Sequence, residues 1–245
     1  MDVTEDRLLG GRVRLRQPKL GYRAGVDAAL LAAACDARAG ERVLDAGCGP
    51  GAVLLAAAVR RPQARFVGLE SDASALDLAR QNIALNAVAS HVEALAGDVG
   101  QPFARLGLPL FDAALANPPF FDDPASLRAP SPAKRAAWIA AEGLSAWCAF
   151  LVKAVREKGT ITLIHRADRL ADLMAALAPK AGSFAVRAVH PHADEAAKRV
   201  LVRAVKSGKA PLRILPPLVL HQRGGAKHTP AAEAILRGEA DLAWD

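Results

Sequence analysis

The chain has 245 residues, enough to bury a sizeable core without disulfides or metals, and 52% of it is hydrophobic, much of that alanine. A net charge of +7 and a pI of about 9.7 create a basic field that suits an acidic partner such as nucleic acid. The cysteines Cys35, Cys48 and Cys148 lack metal-like spacing, the N-terminus is too polar for a secretory signal, and no apolar run nears the roughly 20 residues that span a bilayer. A cytoplasmic protein with reduced thiols is expected.

Residues 1–40 read as a basic arm, with Arg12, Arg14, Arg16, Lys19 and Arg23, followed by a short capping helix over 27–35. A second group of cations, Lys198, Arg199, Arg203, Lys206, Lys209 and Arg213, lies near the other end. Between them, from 42 to about 166, short apolar runs alternate with helical patterns. Strands are predicted at 42–46, 65–70, 92–99, 110–116 and 160–164. Helices are predicted after Gly51, after Ser71 or Asp72, over 138–157 with Gly159 closing it, and over 168–178. Two further strands, 184–189 and 199–205, have no helix between them and should form an antiparallel pair at one edge. The expected fold is therefore α/β: a mostly parallel sheet covered by helices on both faces, in one domain over 1–245 with its core in 41–245.

The chemistry gathers where these strands end. Asp45-Ala46-Gly47-Cys48-Gly49-Pro50-Gly51 joins the first strand to its helix, and its glycines let a ligand approach the backbone at a helix N-terminus. With Ala52, and with Glu70 ending the second strand, the loop also fits the looser dinucleotide-binding pattern. Three features point away from a nicotinamide enzyme: the acid Asp45 directly before the glycines, a further acid Asp98 closing the third strand, and Asn117-Pro118-Pro119-Phe120 after the fourth.

That tetrapeptide suits one exocyclic amine. Its prolines hold the chain extended and cannot donate, leaving the Asn117 amide oxygen and the Pro118 carbonyl to accept from an –NH2 group. Phe120 offers a flat face for a planar base or amide, in a chain with only 4% aromatics. Residues 121–134, rich in Pro, Asp and Ser, read as a mobile loop beside the site.

This set resembles the S-adenosylmethionine-dependent methyltransferases of the Rossmann-like class I, which implies a seven-stranded sheet. The resemblance places the methionine part of S-adenosylmethionine in the loop of Gly47, Cys48, Gly49 and Gly51, with Asp45 near its amino group. Glu70 would bind the ribose hydroxyls, and Asp98 with Val99 the adenine. More closely, the chain is similar to the tRNA(Val) adenine-37 N6-methyltransferase family. The matching residues are Gln17-Pro18, Gly21-Tyr22-Arg23-Ala24-Gly25-Val26-Asp27, Leu30-Leu31, Ala79-Arg80-Gln81-Asn82-Ile83-Ala84-Leu85-Asn86, His228-Thr229-Pro230 and Ala234-Ile235-Leu236-Arg237-Gly238. The family's Gly-Thr-Asp becomes Gly25-Val26-Asp27 here, losing a hydroxyl but keeping Asp27 as a cofactor-side residue. The resemblance implies N6 methylation of adenine in RNA, in a tRNA anticodon loop, with Asn117, Pro118, Pro119 and Phe120 as the catalytic residues, Asn117 also facing the cofactor, and no metal.

Other acceptors remain open at this stage. A small-molecule O-methyltransferase needs a base or metal, for which Asp122 and Asp123 or the pair His190 and His192 would have to serve. Guanine N2 in ribosomal RNA and a protein glutamine present a similar amine. A cofactor-binding protein without catalysis is the remaining alternative.

Overall fold

The computed structural model describes residues 2–20, 23–119 and 143–245. Its first element is a hairpin where the sequence suggested an arm. Strand β1 (Val3–Leu8) pairs antiparallel with β2 (Val13–Pro18), Val3 opposite Pro18. The period-two signal is in β2, with Val13, Leu15 and Gln17 buried and Arg14 exposed, but arginines on alternate positions disguise it. Several of these cations are bound within the chain. Arg14 and Arg16 reach Glu5 at 2.8 and 3.5 Å, and Arg23 reaches Asp6 at 2.7 Å. Near the other end, Arg199 pairs with Asp27 at 2.9 Å and Arg203 with Asp36 at 2.8 Å.

Helix α1 (Val26–Ala33) and the alternating series follow: β3 (Arg42–Ala46), α2 (Ala52–Arg60), β4 (Arg65–Glu70), α3 (Ala73–Leu85), β5 (Val92–Ala96) and β6 (Phe111–Ala116). Asp72 caps α3, its side chain accepting from the Ala75 amide at 2.9 Å. After the undescribed segment come α4 (Leu144–Ala154), β7 (Val155–Arg166), α5 (Leu170–Leu177), β8 (Ala181–His190), β9 (Arg199–Lys206), β10 (Arg213–Val219) and α6 (Pro230–Arg237).

Among the described residues the main sheet has eight strands in the order β10-β8-β9-β7-β6-β3-β4-β5, so the expected count of seven is corrected. The added strand is β10, whose Pro216 and Pro217 argue against a strand because they cannot donate to a ladder. It is tolerated at the sheet edge, where its register on β8 slips between Leu215 and Leu218. Only β9 runs against its neighbours. The antiparallel pair β8–β9 is therefore present, but β10 lies outside it.

Two boundaries also move. The helix expected to reach residue 157 ends at Ala154, because Val155 already pairs with Phe111 as the first residue of β7. Gly159 is thus within a strand, where a Cβ would meet the Arg156 carbonyl oxygen at 2.8 Å. The third parallel strand ends at Ala96 rather than Val99. Asp98 then forms a turn by accepting from the Gly100 amide at 2.8 Å.

Alternating strand residues feed two apolar layers. Val43 and Phe66 face the layer of α1, α2 and α3, with Leu30, Leu54 and Ile83; Leu44 and Val67 face α4 and α5, with Leu151 and Leu173. All three cysteines are free and buried, and burial pushes the Cys35 and Cys148 thiols up to about 12. Among the described residues no helix is long and apolar enough to cross a membrane.

Candidate active site

Parallel pairing brings the strand ends to one rim, the position where open α/β sheets bind ligands. Ala46 lies in register with both Leu69 and Ala116. Gly47 and Asn117, the residues that follow, therefore leave adjacent strands at the same level. Glu70, in register with Ala96, ends β4 beside them.

The three glycines of the loop all take positive φ, 66°, 54° and 92° for Gly47, Gly49 and Gly51, yet each is needed for a different reason. A Cβ on Gly47 would stand 2.4 Å from Cη2 of Trp147, so the indole of α4 lies directly against this residue. A Cβ on Gly51 would touch Ala79 of α3 at 3.7 Å. At Gly49 nothing lies within 4 Å, and this is the open face where a ligand can approach the backbone.

Several ties fix the loop. The Cys48 amide donates to the Leu69 carbonyl at 3.0 Å. Glu70 accepts from the amides of Gly49, Ser71 and Asp72 at 2.9, 2.8 and 2.8 Å, joining the loop to the start of α3. The fully buried Asn82 donates to the Pro50 carbonyl at 2.9 Å, and also exchanges both backbone hydrogen bonds with Arg16 of the hairpin at 2.8 Å. Asn86, one turn on, does the same with Arg14. Gly68, opposite Asp45, leaves room for Cys48 and Leu54, which a Cβ would meet at 2.7 and 2.8 Å.

Asp45 is 1% exposed, and its Oδ2 has no hydrogen-bond partner in the described structure. Burial raises its carboxyl to about 8, the Leu54 amide opposing and the charge of Glu70 reinforcing the shift. Burial likewise pushes the Cys48 thiol up, helped by Asp45 and Glu70. An unsatisfied buried acid next to an open glycine face fits a ligand that brings a cation and sits close to the backbone.

The remaining expected residues are placed as follows. Asn117 is half-buried, Pro118 buried and Pro119 exposed, while Phe120, residues 121–134 and the acids Asp122 and Asp123 lie outside the described residues. Asp98 is exposed and Val99 half-buried, past the end of β5. Gly25 caps α1, where a Cβ would meet nothing within 4 Å, and Asp27 in the first turn is held by Arg199. His190 contacts the Glu195 carbonyl oxygen through Nδ1 at 2.7 Å, and His192 packs against His221 with ring centroids 5.6 Å apart. Among the described residues no group of three or more His, Cys, Asp or Glu is arranged to hold a metal.

Sequence reasoning missed the contact roles of Trp147, Asn82 and Gly68. Trp147 reads as one more apolar residue of a helix face. Two asparagines at i, i+4 and a glycine inside a strand were the available signals for the others.

The family model described as methyltransferase small domain matches residues 23–130. A tRNA1(Val) (adenine(37)-N6)-methyltransferase of Porphyromonas gingivalis is 33% identical over 172 residues, 66% of this chain and 66% of that protein. The chain thus spans just under two thirds of the length of this curated relative. A predicted O-methyltransferase from Agrobacterium tumefaciens has a similar structure, with a TM-score of 0.75, 27% identity, and coverage of 88% of this chain and 98% of that one. A T. thermophilus 16S rRNA N2 methyltransferase, solved with AdoMet and guanosine, shares the fold at a TM-score of 0.60 and 23% identity, covering 84% of this chain and 50% of that one.

Proposed function

We propose that the chain is a member of the methyltransferase small-domain family and transfers a methyl group from S-adenosylmethionine to the exocyclic N6 of adenine in RNA, in a tRNA anticodon loop. One observation carries the reading: the register of Ala46 with Ala116 sets the glycine loop and Asn117 side by side. Asp45, Gly47, Cys48, Gly49 and Gly51 would hold the methionine end of the cofactor, Glu70 the ribose, and Asp98 with Val99 the adenine. Gly25, Asp27 and Asn117 would complete the cofactor side.

When bound, the cofactor supplies an electrophilic methyl on a positively charged sulfur. The chain's part is to place the acceptor. The Asn117 amide oxygen and the Pro118 carbonyl accept from the amine, orient its lone pair and favour the positive charge that develops on nitrogen. Phe120 stacks the base, which must leave its helix to reach the rim. No ionisable group is required, which separates this chemistry from methylation of a hydroxyl.

An RNA substrate is supported by the basic net charge and by the relative's name, within a cytoplasmic methyltransferase unit spanning 1–245. The direct test offers labelled cofactor to total tRNA, ribosomal RNA, release factor and small hydroxylated acceptors in parallel. N6-methyladenosine in tRNA is the expected product. Label in guanine, in protein only, or in a small-molecule hydroxyl would each replace the adenine reading.

A further inference from the structure

We propose that the outward face of the β1–β2 hairpin grips the sugar-phosphate backbone of the RNA substrate through Arg7, Arg14 and Arg16. This inference rests on the RNA reading above and names which of the two basic regions meets the RNA. The hairpin has two unlike faces. Val13 and Leu15 are fully buried and Gln17 is 2% exposed, so alternate residues of β2 turn inward. The opposite face carries Val3, Glu5 and Arg7 of β1 with Arg14, Arg16 and Pro18 of β2.

Arg7 stands directly opposite Arg14 in the ladder. Like charges in that position repel, so this pair weakens the hairpin in the free protein. One carboxylate, Glu5, serves both Arg14 and Arg16, at 2.8 and 3.5 Å, and Arg7 forms no ion pair among the described residues. Three guanidinium groups against one carboxylate leave positive charge uncompensated on this face. Exposed ion pairs add little to stability, so exchanging Glu5 for a phosphate costs little. A phosphate between Arg7 and Arg14 would replace their repulsion by two attractions, each through paired N–H donors.

This face is also fixed relative to the rim. The backbone of Arg16 exchanges both hydrogen bonds with Asn82, which donates in turn to Pro50 of the glycine loop. A phosphate held by Arg16 is therefore registered on the loop through one buried side chain. The other basic region differs. Arg199 and Arg203 are paired with Asp27 and Asp36. Lys158 and Lys180 meet Ser207, the former through Nζ at 3.0 Å and the latter through its carbonyl at 2.9 Å, and Lys209 lies two residues on. Because β9 runs against β7 and β8, Ser207, just past its last residue, lies at the end of the sheet away from the rim.

The test measures binding of unfractionated tRNA by the full chain across a salt series. Each phosphate contact removed lowers the slope of log affinity against log salt by about 0.7–0.9. The variant Arg7→Gln/Arg14→Gln/Arg16→Gln should therefore lower it by about 2–3, and weaken binding at least about 10-fold at physiological salt. Its S-adenosylmethionine affinity should not change, because Arg16 is tied to Asn82 by its backbone. Lys158→Gln/Lys180→Gln/Lys209→Gln removes the same charge and should keep the wild-type slope. Equal losses in the two triple variants would assign binding to the overall field, and an unchanged slope in the arginine variant would place the RNA elsewhere; either overturns the proposal. Arg7→Gln alone guards against a triple variant that fails to fold, since Arg7 makes no ion pair. Its slope should fall by about 0.7–0.9, and an unchanged slope overturns the proposal equally. A wild-type chain that binds no tRNA removes the RNA reading and this inference with it, an outcome distinct from tRNA binding that the arginines do not affect.

Discussion

The side-chain amide of Asn82 donates to the carbonyl of Pro50 at 2.9 Å, linking a helix to the middle of the glycine loop. The same amide group pairs with the backbone of Arg16, so one buried residue holds hairpin, helix and loop together. Replacing it by alanine leaves the Arg16 N–H and two carbonyls without their partner, at a cost of about 1–3 kcal/mol for each group that water cannot reach. Asn82→Ala should therefore lower the unfolding free energy measured in urea by at least about 1 kcal/mol and weaken cofactor binding. Stability unchanged in a denaturation curve would show that the loop is held by other ties.

Asp45 gives a pH signature. Its carboxyl is raised to about 8 in the fold against a reference of 3.8, so the folded chain holds a proton that the unfolded chain has lost between those values. The sign follows directly: this group's contribution to stability is present in full below about pH 4, declines as pH rises, and is gone above about pH 8. Asp45→Asn, which cannot ionise, should gain stability relative to wild type across that window, while binding the cofactor more weakly. Wild-type affinity for a cationic cofactor should rise towards pH 8, as the acid ionises. Denaturation and binding titrations at pH 5, 7 and 8.5 check both trends, and parallel stability profiles for the two proteins would contradict the assignment.

Glu70 joins three backbone amides and would also meet the ribose. Glu70→Ala should thus lose thermal stability as well as cofactor affinity, by roughly 1–3 kcal/mol for hydrogen bonds made to a charged group. Glu70→Gln keeps one acceptor oxygen and should recover most of the stability but not all of the binding. Differential scanning calorimetry with a cofactor titration separates the two effects; a Glu70→Ala variant of wild-type stability would mean the ties to the loop carry no weight.

Gly68 is the third structural position. A valine there would drive its Cβ into Cys48 Sγ and Leu54, and overpacking of this kind typically costs about 1–3 kcal/mol. Because Cys48 belongs to the loop, Gly68→Val should also reduce cofactor affinity. Equal affinity in the two proteins would mean the loop adapts.

The ends of the parallel strands were legible in the sequence because apolar runs, glycines and acids alternate with the period of the fold. That pattern led to Asp45, Glu70 and Asn117 on adjacent strands. Asp98 was found as a residue but set too far into its strand, since an Asx turn resembles a strand end when only hydrophobicity is read. β10 was hidden by Pro216 and Pro217, whose cost vanishes at an edge. The contacts of Trp147 with Gly47 and of Asn82 with Pro50 join residues far apart in the chain, and no local pattern specifies such pairs. The arginines show the same limit in electrostatics. Composition gives a basic chain, but only the fold shows Arg14 and Arg16 on Glu5, Arg23 on Asp6, and Arg199 on Asp27.

The most direct measurement compares Asn117→Ala with wild type in methyl transfer to tRNA and in cofactor binding. Transfer should fall by at least about 100-fold, the scale for removing one preorganised polar group from a reacting centre, with little loss of cofactor affinity. Full transfer activity in Asn117→Ala would contradict an amine held by Asn117 and Pro118.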